Sequence, residues 1–154
     1  MMLSICKRFE CGISYAHALE GYSGKCKDLH GHNAMVEVEV AGRDERAYQT
    51  MVMDFSTLKG MVKDLLSEMD HFDLTRFFWL HQKDSSTVEI VSHSVMQNRP
   101  GVSMTPLPAT AEVMVQYLAG EIKASLPNGV KLVRVRISET PDSWAEWKEE
   151  DIRV

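Results

Sequence analysis

The chain is poor in the residues that cross-link small scaffolds. It has three cysteines, Cys6, Cys11 and Cys26, an odd number at spacings that fit no disulfide framework. At least one thiol is therefore expected to be free, which suits a reducing, cytoplasmic setting. Long apolar runs are missing too: nothing approaches the roughly 20 residues that a membrane helix needs, and Met1–Arg8 carries no secretory apolar segment. Positive charge is scarce, with 17 Lys and Arg against 22 Asp and Glu and a formal net charge of -5. Nonspecific nucleic-acid binding, which needs a basic surface to displace counterions, is disfavoured. No glycine-rich phosphate loop of the GxGxxG or GxxxxGKS type occurs. What remains is an ordinary globular composition, 44% hydrophobic and 25% charged over 154 residues, which predicts one compact domain spanning 1–154.

Hydrophobic periodicity organises that domain. Leu3 to Phe9 reads weakly as a strand, and Gly21-Tyr22-Ser23-Gly24 reads as loop. From His30 to Val40 the residues alternate, with His30, His32, Val36, Val38 and Val40 on one parity and Glu37 and Glu39 on the other. A half-buried antiparallel strand follows, its charged face toward water. Asp54 offers an N-cap to a helix carrying Leu58, Met61, Val62, Leu65, Leu66 and Met69, which should end near Asp70-His71. The segment from Thr75 to Pro108 is expected to be loop with short strands. Thr110 can cap a second helix from Ala111 to about Leu126, stopped by Pro127-Asn128-Gly129. Val133, Val135 and Ile137 alternate with Arg134, Arg136 and Ser138 in another strand, and Ile152 to Val154 is expected to add a last one. The order strand, strand, helix, helix, strand, strand groups elements by type and predicts an α+β fold, with antiparallel sheet and helices on one face.

A small set of positions stands out chemically. His30 and His32 project to the same side of a strand, and a catalytic zinc commonly takes three protein ligands, so a third histidine should approach from elsewhere. His17, at the end of the first strand region, is the candidate if the two strands pair antiparallel. By itself a His-x-His pair is more often found without metal. Cys26, four residues before His30, is either a thiolate activated by a nearby cation or a fourth ligand closing a structural site. Asp70-His71 is either an oriented acid/base pair or a helix cap. Glu139, at a strand end, could point into a site or into solvent. Lys25 and Lys27 flank Cys26, where they could attract an anion or simply be solvated.

These signals occur in one order: His17, then Cys26-Lys27-Asp28-Leu29-His30-Gly31-His32-Asn33, Val52-Met53-Asp54-Phe55, Asp70-His71, Thr110-Ala111-Glu112 and Glu139-Thr140. That set resembles the 6-pyruvoyltetrahydropterin synthase and 6-carboxytetrahydropterin synthase family along nearly the whole chain. The resemblance implies the tunnelling fold, an antiparallel four-stranded sheet with two helices on one face, assembled as a homotrimer or homohexamer with sites between subunits. It implies zinc on His17, His30 and His32, Cys26 as the proton-abstracting thiolate, and Asp70 and His71 as its relay, acting on a neighbouring chain's Cys26. Glu139 corresponds to the pterin anchor, and Thr110 and Glu112 to further substrate contacts. The implied substrate is 7,8-dihydroneopterin triphosphate. The favoured product is 6-carboxytetrahydropterin with loss of acetaldehyde, in queuosine biosynthesis; the alternatives are 6-pyruvoyltetrahydropterin, in tetrahydrobiopterin biosynthesis, and a non-catalytic zinc- or pterin-binding protein. Three features depart from the family pattern. Ile13-Ser14-Tyr15-Ala16 precedes the first ligand where Phe and small residues are common, Trp147 stands near a usual Tyr, and the segment from Thr75 to Pro108 is long.

Overall fold

The computed structural model describes residues 3–43 and 50–150. Strand β1 (Ser4–His17) runs into a loop with a single 3-10 turn at Lys25–Lys27 and returns as β2 (His30–Gly42). The two pair antiparallel from Ser4 opposite Ala41 to His17 opposite His30, with a register shift between Phe9 and Ile13. Glu10, Cys11 and Gly12 occupy that bulge and break the alternation, so only the first part of β1 reads as a strand in sequence. Gly12 is required there: a Cβ would lie 2.7 Å from Val36 Cγ2.

Helix α1 (Phe55–Ser67) follows, capped by the Asp54 carboxylate, which accepts from the Ser56 and Thr57 N–H groups. It ends earlier than the periodicity predicts. The N–H groups of Met69 and Asp70 both return to the Leu66 carbonyl, and His71 adopts a left-handed φ of 61° that turns the chain out of the helix. The His71 N–H then donates to the Ser14 carbonyl, steering the chain into β3 (Phe72–Asp73), which runs parallel to β1 at Tyr15 and Ala16.

Next come β4 (Phe78–Gln82), β5 (Val88–Ser92), α2 (His93–Gln97) and β6 (Met104–Leu107), with β5-β4-β6 forming a separate three-stranded antiparallel sheet. The short strands expected between Thr75 and Pro108 are thus present and organised. Helix α3 (Ala111–Ser125), capped by Thr110, leads to β7 (Val130–Thr140) and β8 (Ser143–Lys148). The main sheet has the order β3-β1-β2-β7-β8. It is five-stranded, not four-stranded as expected, because the two-residue β3 adds to the β1 edge. The strand expected at Ile152 to Val154 lies outside the described residues.

One face of the main sheet makes the core. Val36, Val38 and Val40 stand opposite Ile137, Val135 and Leu132 across the β2–β7 pair, all essentially inaccessible, with α1 and α3 packed against the sheet and each other. Each such side chain contributes about 1.5–3 kcal/mol of burial. The opposite, charged face is covered rather than simply wet. Glu37 is only 6% exposed, with Arg8 at 3.2 Å and Arg136 at 3.7 Å. Arg134 lies 3.2 Å from Glu39 and 3.3 Å from Glu146, and Arg136 lies 2.8 Å from Glu146. Alternating charge across β1, β2, β7 and β8 therefore locks the register from the polar side.

Candidate metal site

The β1–β2 pairing places three imidazoles on one face. His17 stands opposite His30, and His32 stands opposite Tyr15, two residues before His17 on the same parity. Their nearest ring nitrogens all lie within 4.8 Å of one another. Gly31, between the two β2 histidines, permits this close pairing, since a Cβ there would sit 2.9 Å from the Tyr15 carbonyl oxygen.

The hydrogen bonds around the triad decide what it can hold. His17 Nδ1 is 2.6 Å from the Ala109 carbonyl and His30 Nδ1 is 2.8 Å from the Asp28 carbonyl. A carbonyl can only accept, so both Nδ1 atoms carry the proton, and in the neutral rings both Nε2 atoms are lone-pair donors. Those two Nε2 atoms are nevertheless 3.0 Å apart. Two facing lone pairs repel unless a cation lies between them. The Nε2 of His32 is buried with no hydrogen-bond partner among the described residues, which points the same way. Burial of His17, 3% exposed, lowers its pKa despite the Ala109 and Glu139 contacts and keeps it in the ligating form. Three imidazoles, two of them with tautomers fixed by backbone carbonyls, suit zinc or a similar divalent ion, and the residues present fit that group.

Glu139, near the end of β7, lies beside the cluster. Its Oε1 lies 3.8 Å from His17 Nε2 and 3.9 Å from His32 Nε2, and it accepts a hydrogen bond from the Tyr15 hydroxyl. Burial and that carboxylate push the Tyr15 phenol well above its ordinary pKa, so it remains a donor.

The other candidates are placed differently. Cys26 sits exposed on the 3-10 turn between Lys25 and Lys27, where its carbonyl accepts from Leu19 N–H. Asp70 receives the Ser14 N–H at 2.7 Å on Oδ1, while its Oδ2 is 2.9 Å from His71 Nδ1. The Ser14 N–H, then the His71 contact, holds the Asp70 pKa below its ordinary value. The carboxylate thus fixes the His71 tautomer and leaves Nε2 outward on a side chain that is 82% exposed. Among the described residues, no hydrogen bond joins Cys26 to Asp70 or His71. The Thr110 hydroxyl is used as the α3 cap at 3.3 Å from Val113 N, and Glu112 is exposed on the first turn of α3. Ala109, Asp28 and Tyr15 are site residues that motif reading missed: two act through backbone carbonyls, which carry no side-chain signal, and Tyr15 registered only as a departure from pattern.

Comparison with known proteins assigns the lineage. Residues 4–150 match the family described as 6-pyruvoyl tetrahydropterin synthase. The chain belongs to that family. Among its relatives, the 6-carboxy-5,6,7,8-tetrahydropterin synthase of Haemophilus influenzae is 32% identical, over 96% of this chain and 100% of its own length. The protein of the same name from Aquifex aeolicus is 36% identical, over 82% of this chain and 77% of its own. In fold, the 6-pyruvoyl tetrahydropterin synthase of Plasmodium vivax superposes with a TM-score of 0.63 at 18% identity, covering 97% of this chain and 98% of that one. An uncharacterized Wolinella succinogenes protein, WS1659, gives 0.65 at 21% identity, covering 97% and 99%. The α+β architecture of this synthase family is therefore shared across the described chain.

Proposed function

We propose that this chain is a zinc-dependent 6-carboxy-5,6,7,8-tetrahydropterin synthase that converts 7,8-dihydroneopterin triphosphate to 6-carboxytetrahydropterin, acetaldehyde and triphosphate. The observation that carries the reading is the triad itself. Two tautomer-fixed imidazoles face each other at 3.0 Å beside an unpartnered third, in a chain whose relatives at 32% and 36% identity bear this name.

Zinc on His17, His30 and His32 would supply Lewis-acid polarisation of the substrate's side-chain oxygens. Cys26 is assigned the removal of the adjacent carbon-bound proton, and the exposed Lys25 and Lys27 beside it suit an anionic triphosphate. Asp70 orients His71 so that its outward Nε2 can exchange that proton with a thiol. Glu139 is the acceptor for the pterin amino and ring N–H groups, and Thr110 and Glu112, at the start of α3 beside Ala109, lie at the ligand's edge.

The thiol and the imidazole are both exposed and unjoined within one chain, so the site is read as completed between copies in a homotrimer or homohexamer. Two further features support assembly. Among the described residues, β3 pairs with the outer edge of β1 only at Tyr15 and Ala16, and β8 ends the other side of the sheet, leaving two edges free to pair. Exposed apolar side chains flank both halves: Tyr22 and Leu29 around Cys26, and Phe72 next to His71. No helix among the described residues is long and apolar enough to cross a membrane. Three free cysteines suit a cytoplasmic protein.

The test is anaerobic incubation of zinc-loaded protein with 7,8-dihydroneopterin triphosphate and mass spectrometry of the products. Acetaldehyde and 6-carboxytetrahydropterin are expected. Accumulation of 6-pyruvoyltetrahydropterin without acetaldehyde would assign the chain to the other activity of its family, and no turnover would leave only a binding role.

A further inference from the structure

Glu139 occupies a place that its role as ring acceptor does not explain. Its carboxylate is drawn onto the triad, with Oε1 within 4 Å of two ligating nitrogens, instead of standing a ring's width away. The cause is Tyr15. This side chain is 5% exposed and wedged among the histidines, with ring centroids 5.2 Å from His17 and 5.6 Å from His32. Its hydroxyl ends on Glu139 Oε1, the same oxygen that faces the triad. Strand parity makes the arrangement unavoidable, since Tyr15 lies opposite His32 and on the same face as His17.

We propose that Tyr15 is a positioning residue that clamps the Glu139 carboxylate onto the histidine triad as the metal's fourth donor in the ligand-free protein, so that an entering pterin must draw the carboxylate away. Three imidazoles leave one position of a tetrahedral ion to fill. Cys26 stands exposed on its turn, whereas Glu139 Oε1, though outside the three mutually close donors, lies within 4 Å of two of them. When the ring N–H groups take the carboxylate, the metal's fourth position opens to the substrate's hydroxyls in the same event. Ring recognition and metal opening are thereby coupled, as two competing demands on one side chain. This displacement step rests on the reading of Glu139 as the ring acceptor; the clamp itself rests only on the contacts around the triad.

The test uses full-length Tyr15→Phe and Glu139→Gln, each loaded with zinc or cobalt. Tyr15→Phe keeps the buried ring and removes only the donor. Glu139→Gln, at a half-buried position, serves if the first variant misfolds. Zinc affinity by chelator competition is expected to fall about tenfold in both variants, the scale typical of groups that support a metal ligand. The visible spectrum of the cobalt protein without ligand should change in both, and saturation with 7,8-dihydroneopterin should bring wild type and Tyr15→Phe to a common spectrum. Unchanged zinc affinity together with an unchanged ligand-free cobalt spectrum overturns the proposal, however tightly dihydroneopterin binds. If Glu139→Gln loses zinc affinity but binds dihydroneopterin as wild type does, the clamp stands and the ring-acceptor reading fails.

Discussion

The two chemical halves of this site are built in opposite ways. The histidine half lies on adjacent paired strands, its ligand tautomers fixed by the Ala109 and Asp28 carbonyls and its glycine spacer pressed against Tyr15. The half assigned above to proton transfer is carried on turns, with Cys26 on a 3-10 turn and His71 on a single left-handed residue. A metal site must hold three donors to within fractions of an ångström before ligand arrives, which favours rigid strands. A proton relay needs contact only once substrate is bound and can be delivered by another chain. The first half is therefore brought together in one chain, and the second is the half that the proposed function completes between copies.

The contrast can be broken most sharply by substitution. Cys26→Ala is expected to retain one zinc per chain while turnover falls by about 10³-fold or more, the scale for losing an essential proton-transfer group. His32→Ala should lose both zinc and turnover. Metal analysis beside product formation reads the difference, and loss of zinc from Cys26→Ala would merge the two halves into one.

Next in size is complementation. If Cys26 of one chain meets His71 of another, mixing unfolded Cys26→Ala and His71→Ala chains and refolding them together should regenerate about a quarter of the wild-type sites, as random assembly of a symmetric oligomer requires. Activity no higher than that of either variant alone would place both residues in one chain's site.

The smallest effect concerns the charged sheet face that supports the rigid half. Burial alone would raise the Glu146 pKa, but hydrogen bonds from Lys148, Arg136 and Arg134 outweigh it and hold the carboxyl from 4.5 down to about 2. A depressed folded pKa contributes stability above the unfolded value that is lost as pH falls through the folded one. Wild type should therefore exceed Glu146→Gln by about 1–2 kcal/mol near neutrality, and the gap should close between pH 4.5 and about 2. Urea unfolding across that range measures it, and a gap independent of pH would assign the loss to packing.

Sequence made the rigid half legible because its information is local. Alternation from His30 to Val40 put both histidines on one side, and Asp54 and Thr110 marked the helix starts. Failures came where geometry depends on partners distant in the chain. Nothing near Asp70 signals that the Ser14 carbonyl will capture the His71 N–H and build β3. Glu37 looked solvated until Arg8 and Arg136, 29 residues before it and far along β7, closed over it. Strand β8 was hidden because Trp144 and Trp147 face different surroundings, one over the Arg136 guanidinium and the other under the Lys123 ammonium, and so show no clean alternation. The role of Tyr15 required knowing that Glu139, 124 residues later, ends beside it.

X-ray absorption at the zinc edge of the ligand-free protein tests the division between the two halves most directly. Nitrogen and oxygen scatterers alone, with no sulfur, are predicted, because the triad is served by imidazoles and a carboxylate while Cys26 stands apart. A sulfur shell at about 2.3 Å would make Cys26 the fourth ligand and contradict the account.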